Sequence, residues 1–276
     1  MQTQPPKVEG VRITNPAPHV LLVTIDREKQ MNSIPFKLHW RMDALFRWFD
    51  EQPDLRVAII TGAGKKAFCA GQDLIELNSR DSKKVNSEPW LEWHPPSGFA
   101  GISRRVGKKP IVAAVNGFAL GGGFEIVLNC DLTIAAPGAS FGLPEVLRGL
   151  YAGAGGIPRL VRNLGLPLAG EIAMTGRRLS ATEAKDLRLI NRIACSQEMV
   201  VDEAVQLAAQ IAAISPDSII VTRAALREVW ESASVERAYQ NVDDRFSRKL
   251  FEGENVREGL EAFAEKRSPV WKPSKL

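Results

Sequence analysis

The sequence predicts an α/β protein whose C-terminal third is all helical, and two observations carry that prediction. Short β-branched and apolar runs alternate with stretches of helical period up to about residue 195. Beyond that point the strand signals stop. Val20-Leu-Leu-Val-Thr-Ile25 reads as a buried strand. Leu38, Met42, Leu45 and Phe49 recur at helical spacing, so residues 35–51 read as an amphipathic helix. Further strands are expected at residues 55–60, 111–115 and 132–135. Residues 198–213, 216–231, 235–251 and 254–265 read as helices, with breaks at Pro216, Gly253 and Pro269. Residues 79–99 show no period and read as a long surface loop, either a cover over a site or a tolerated insertion. Trp90, Trp93 and Phe99 are candidates to line a pocket there.

Composition narrows the function classes. A chain of 276 residues buries a sizeable core without disulfide or metal staples. With 45% apolar and 25% charged residues, disorder and fibrous repeats are not expected. The 36 basic and 32 acidic side chains leave a net charge of +4, which permits an anionic ligand without demanding nucleic acid. Three widely spaced cysteines, an odd number, argue against a secreted disulfide framework and fit a reducing compartment. None of the three histidines pairs with a cysteine at metal-ligand spacing, so no metal site is expected. The N-terminus carries no apolar core of a signal peptide. The longest apolar stretch, residues 111–128, is interrupted by Asn116, glycines and Glu125, so no membrane span is expected.

Some motifs tempt and fail. Gly138-Ala-Ser-Phe-Gly142 matches a nucleophile elbow, but that fold needs a histidine after the serine, and all three precede Ser140. Gly62-Ala-Gly-Lys-Lys66 lacks the glycine spacing and the Ser or Thr of a phosphate loop. Gly153-Ala-Gly-Gly156 is one glycine cluster without the dinucleotide fingerprint.

The informative constellation combines glycines and glutamates. Ile111–Val115 ends at a turn, and Gly121-Gly-Gly123 opens an apolar helix that carries Glu125. Glycines let the backbone approach a ligand closely. The first N–H groups of a helix have no internal partner and sit at its positive end, which suits a developing oxyanion. Glu125 is costly inside so apolar a helix unless it has a partner or a purpose. A second segment, Lys65-Lys-Ala-Phe-Cys-Ala-Gly-Gln-Asp-Leu74, exposes backbone around Ala70 and Gly71 and offers a second N–H donor. A third, Ser140-Phe-Gly-Leu-Pro-Glu-Val146, adds Glu145. Two acids near one site are equipment for moving two protons or holding a water.

These segments together resemble the enoyl-CoA hydratase/isomerase family, the crotonase superfamily, over roughly residues 10–270. The resemblance rests on Ala67-Phe-Cys-Ala-Gly-Gln-Asp-Leu74, Val115-Asn-Gly-Phe-Ala-Leu-Gly-Gly-Gly-Phe-Glu125 and Phe141-Gly-Leu-Pro-Glu145, with support from Gly153–Gly156 and Ala262–Arg267. It implies a spiral of ββα turns with two roughly perpendicular sheets over residues 1–197, carrying the CoA site. Residues 198–276 would be a helical oligomerisation region, in a homotrimer or homohexamer. The implied oxyanion hole is the amides of Ala70 and Gly122, and one such donor is worth ~3–4 kcal/mol in other enzymes. Glu145 would exchange a proton with Cα, and Glu125 would hold the water that adds to Cβ. The resemblance further implies substrate contacts at Lys29, Met31, Asp73, Leu74, Gly121, Tyr151, Gly153 and Lys266. The Gly153 region would aim a helix N-terminus at the acyl group.

Both acids being present favours reversible hydration of a 2-enoyl-CoA, a carbon–oxygen lyase reaction, with no cofactor beyond the coenzyme A of the substrate. A one-acid double-bond isomerase and a non-catalytic acyl-CoA-binding subunit are the alternatives. Arg188 stands where the family commonly has glycine, and a non-glycine left-handed residue there costs ~1 kcal/mol, so a local backbone change is expected. The chain ends in Ser274-Lys275-Leu276, a tripeptide read by the peroxisomal import receptor in a eukaryotic source. In a bacterial source the tripeptide carries no message, and the cytoplasm is expected.

Overall fold

The computed structural model describes residues 4–79 and 94–276. Strands β1 (Val11–Ala17), β2 (Val20–Ile25), β3 (Val57–Gly62), β5 (Ile111–Val115), β7 (Leu132–Ala135) and β10 (Arg192–Ile193) form one six-stranded sheet. Strands β4 (Ala67–Cys69), β6 (Phe118–Leu120), β8 (Ser140–Gly142) and β9 (Arg178–Ser180) form a second, four-stranded sheet. The chain alternates between the sheets. Each of β3, β5 and β7 hands directly to β4, β6 and β8, and a helix then returns it: α2 (Leu74–Ser79), α3 (Gly122–Asn129) and α4 (Gly156–Leu164). The repeating unit is therefore ββα. Neighbours in the first sheet are parallel from β2 onward, and the β1–β2 pair is antiparallel.

The continuous apolar runs are explained by burial on both faces of the first sheet. One face, with Leu21, Val23, Ile25, Ala58, Ile60, Ala113 and Val115, joins α1 (Phe36–Glu51) in the main core. The other face, with Val20, Val57, Ile59, Val112 and Ala114, packs against α7 (Val200–Ala212). There α7 presents Ala204, Ala208 and Ala212, whose four-residue spacing makes a smooth stripe. So α7 closes the sheet, although it lies past residue 197.

The remaining helices are α5 (Leu166–Thr175), α6 (Ala181–Asp186), α8 (Pro216–Ser232), α9 (Val235–Val242), α10 (Arg248–Phe251) and α11 (Glu254–Glu265). The single helix expected over 235–251 is interrupted by a wider turn at residues 243–247. Arg188 is a correction: it keeps the left-handed conformation, φ +61°, rather than altering the backbone. The Arg188 N–H donates to Lys185 O, and the Leu189 N–H donates to Ala184 O, with Leu189 buried. These two bonds close the end of α6 in the manner that glycine usually serves, and they offset the strain.

Helix α8 is tied to the core by buried charge. Asp131 accepts from Arg223 at 2.9 Å and from Arg227 at 2.9 Å. Arg223 also donates to the carbonyls of Val106 and Gly107. Burial alone would push the Asp131 carboxyl up, but the two guanidiniums outweigh it and hold it below the ordinary carboxylate range. Asp131→Ala strips both arginines of their buried counter-charge. A stability loss of about 3–5 kcal/mol is expected, read from the midpoint of denaturant unfolding. A loss under about 1 kcal/mol shows that the network is an ordinary surface pair.

Candidate active site

The site forms where the end of β4 meets the start of α3. Asn32, fully buried, donates from its side chain to Ala63 O at 2.9 Å and Ala67 O at 2.7 Å, fixing residues 31–34 beside β4. The Ile34 N–H then donates to Gly71 O, and the Asp73 N–H donates to Ile34 O. This pairing turns the N–H of Gln72 away from residue 34, and no hydrogen bond engages it among the described residues. Gly71 has φ +93°, and a Cβ built on it would lie 3.4 Å from Gly122 N. The free amide of Gly122, first residue of α3, is thus adjacent to the Gly71–Gln72 peptide.

This corrects the donor read from the sequence. The Ala70 N–H donates to Met31 O at 3.0 Å, so Ala70 has no amide to offer a substrate. The open pair is Gln72 and Gly122. Sequence reasoning placed the donor two residues early, because the register of Gly71 is set by residues 31–34, far away in the chain.

Two carboxylates face the same region. Glu125 is buried one turn into α3, and its Oε1 accepts from Ala154 N–H at 2.9 Å and Gly156 N–H at 2.8 Å. The N-terminus of α4 therefore points at Glu125, not at an open acyl pocket as expected for the Gly153 region. Glu125 Oε2 has no protein partner among the described residues. Burial raises the Glu125 pKa, while the amides of Gly156 and Ala154 pull it back. Glu145 lies in the 3-10 turn Pro144–Arg148, and its Oε1 sits 2.9 Å from where a Cβ on Gly121 would be. Gly121 (φ +56°) anchors that contact by donating its N–H to Gly142 O. Glu145 Oε2 is buried without a hydrogen-bond partner. Desolvation, with the charge of Glu125 added, lifts Glu145 to about 7.

The other expected contacts divide. Met31 and Gly121 are at the site through the bonds just given. Lys29 is exposed on the 3-10 turn Glu28–Gln30, immediately before Met31. Leu74, 44% exposed, opens α2. Asp73 is committed elsewhere: it pairs with Arg27 at 2.9 Å and caps α2 by accepting from Glu76 N–H, so its carboxylate is not an open ligand. Tyr151 is exposed and lays its ring against Gly153. Lys266 follows α11, exposed and left-handed at φ +57°, and no described contact brings it to the site of its own chain. Phe99 does not line open space; its ring is buried directly behind Gly122. Trp90 and Trp93 lie outside the described residues. Ser274, Lys275 and Leu276 are docked away from the glutamates: Ser274 donates to Asp217, Lys275 pairs with Glu254, and Lys108 Nζ donates to Leu276 O at 2.9 Å. Among the described residues no cluster of three His, Cys, Asp or Glu could hold a metal ion.

Two open amides lie beside two carboxylates where segments from the two sheets converge: Gln72 after β4, Gly122 and Glu125 on α3, and Glu145 in the turn after β8. Residues 17–274 match the family described as enoyl-CoA hydratase/isomerase. The chain belongs to that family. It is 47% identical over 276 residues to a mevalonyl-coenzyme A hydratase of Beauveria bassiana, covering 99% of this chain and 98% of that protein. It is 39% identical over 271 residues to a carnitinyl-CoA dehydratase of Salmonella paratyphi A, covering 96% and 98%. Among solved structures, the enoyl-CoA hydratase of Bacillus anthracis superposes with a TM-score of 0.85 at 32% identity, over 96% of this chain and all of that one.

Gly122→Ala tests the hole. Its Cβ would fall 2.4 Å from the Phe99 ring, and a buried ring cannot yield that distance without moving the amide. A fall of about 10²–10³ in kcat is expected, the size of losing one oxyanion donor. Wild-type kcat in this variant shows that the Gly122 amide is not used.

Proposed function

We propose that the protein catalyses the reversible addition of water to a 2-enoyl-CoA, equally the dehydration of a 3-hydroxyacyl-CoA. The observation that carries this reading is the unequal environment of the two carboxylates flanking one pair of free amides. The Gln72 and Gly122 N–H groups would donate to the thioester oxygen and lower the energy of the enolate. Glu125, held through Oε1, would use Oε2 to take a proton from the attacking water. Glu145, raised to about 7, would carry the proton delivered to Cα. In the reverse direction the same two groups exchange roles.

The two relatives named above support a short acyl group with a polar substituent. Mevalonyl and carnitinyl thioesters both bear a 3-hydroxyl and a polar group further along. The higher identity, 47% against 39%, favours the mevalonyl type. The oligomer expected from the helical region is supported by large apolar side chains left exposed on α9 to α11, Tyr239, Phe251, Leu260 and Phe263. Sedimentation should give three or six times the chain mass, and a stable monomer overturns that part.

Hydration is followed as loss of the conjugated enoyl-thioester absorbance. Glu125→Gln and Glu145→Gln should each lose about 10²–10⁴ of kcat. Full rate in both variants overturns the two-acid mechanism. The pH dependence has a definite sign. The reactive pair holds one proton in total, and Glu145 loses it as pH rises through about 7. So kcat/KM should fall about tenfold per pH unit above that value. The fall is the same in both directions, since the net reaction neither takes up nor releases a proton. A profile flat to about pH 9 removes the proton from Glu145.

A further inference from the structure

Gln72 offers the site more than its main chain. His39, fully buried on α1, accepts the Ala100 N–H through Nδ1 at 3.0 Å, so that nitrogen carries no proton. Burial, reinforced by neighbouring His94, depresses the His39 pKa to about 3 and keeps the ring neutral. Its single proton is therefore on Nε2, 2.9 Å from Gln72 Oε1. A donor at that point fixes the carboxamide: oxygen toward His39, nitrogen away from it. Gln72 Nε2 is then left buried, with no acceptor among the described residues. The cluster adjoins the oxyanion hole. The His39 ring packs edge-on against Phe99 at 4.5 Å between centroids, Phe99 lies behind Gly122, and Gln72 itself supplies one of the two open amides. Leaving such a donor unpaired costs about 1–3 kcal/mol, which a ligand that accepts from it recovers.

We propose that Gln72 Nε2 donates a hydrogen bond to a hydroxyl oxygen of the acyl chain beyond Cβ, which makes Gln72 the residue that selects hydroxylated acyl thioesters. His39 is the positioning residue that decides which end of the carboxamide faces the substrate. This assignment rests on the hydratase reading above. A hydroxyl oxygen brings lone pairs to the donor. An alkyl chain leaves the donor unpaired, and a quaternary ammonium has no lone pair and repels its hydrogens. The site thus suits a hydroxylated acyl group and not a carnitinyl one.

The test compares kcat/KM for dehydration of 3,5-dihydroxy-3-methylpentanoyl-CoA, its 5-deoxy analogue and carnitinyl-CoA in the wild type, Gln72→Met and His39→Phe. The wild type should favour the dihydroxy substrate over the deoxy analogue by at least about tenfold, with carnitinyl-CoA the poorest. Gln72→Met should bring the dihydroxy-to-deoxy ratio to within about twofold, and His39→Phe should lower it partway, because the carboxamide is then free to flip. The ratio is the readout, since general damage to the fold or the hole slows both substrates alike. A wild-type ratio near one, a preference for carnitinyl-CoA, or a ratio unchanged in Gln72→Met overturns the assignment. The wild-type measurement decides even if a variant does not fold. Turnover with no discrimination removes only the role of Gln72, whereas no turnover of any of these thioesters or of straight-chain 2-enoyl-CoA removes the hydratase reading with it.

Discussion

Everything at the site depends on main chain meeting main chain where β4 ends and α3 begins. A Cβ on Gly123 would fall 2.1 Å from Cys69 O, one on Gly122 2.4 Å from the Phe99 ring, and one on Gly121 2.9 Å from Glu145 Oε1. The three consecutive glycines therefore meet three different neighbours: the strand, the Phe99 ring and the Glu145 carboxylate. Each contact sets one coordinate of the Gly122 amide. Seated this way, the helix start brings its free N–H to the Gly71–Gln72 peptide with no side chain between them. Donors fixed before substrate arrives need no reorganisation during the reaction, which is what makes them effective.

The same packing sorts the two acids. Glu125 and the N-terminus of α4 neutralise one another's cost: a buried carboxylate gains two amide donors, and two orphan helix amides gain an acceptor. Glu145 receives no such help on Oε2 and feels the charge of Glu125 besides, so its proton is held nearer neutrality. Two residues of one chemical type acquire different proton affinities through environment alone, which is the basis of the two roles proposed for them. Arg159, which bonds Asn129 and Gly155 O, braces α4 against α3 and so keeps the Glu125 cradle in register.

Much of this was legible in the chain, and the failures have physical causes. Strands buried on both faces announce themselves as apolar runs, and β2, β3, β5 and β7 were found within two residues. The edge strand β1 was missed because it is half solvated, with Thr14, Asn15 and Pro16 exposed, and it gives neither a continuous run nor a clean alternation. Glu125, Glu145 and Gly122 stood out because a charge or a glycine row inside an apolar segment is locally anomalous, and the structure brings the three to one place. The open amide of Gln72 did not stand out. Whether Ala70 or Gln72 is open depends on residues 31–34 pairing with Gly71, about 40 positions away, and no local pattern encodes that register. His39 was equally hidden: on α1 it reads as one more core position, and only the fold brings it to Gln72.

The remaining imbalance in the structure has a place and a meaning. Buried side-chain polar atoms are normally paired, and among the described residues four are not: Arg56 Nε, Gln72 Nε2, Ser140 Oγ and Glu145 Oε2. Two of the four, Gln72 Nε2 and Glu145 Oε2, belong to residues beside the open Gln72 and Gly122 amides, one a donor and one a carboxylate oxygen. A fold selected for stability alone would have paired them or replaced them with apolar groups, since each costs free energy in the empty protein. Under the proposed reaction the two are matched to a ligand that brings an acceptor to Gln72 Nε2 and a transferable hydrogen to Glu145. On that argument part of the stability of the native state is withheld until substrate binds, and the unpaired atoms mark where it is recovered.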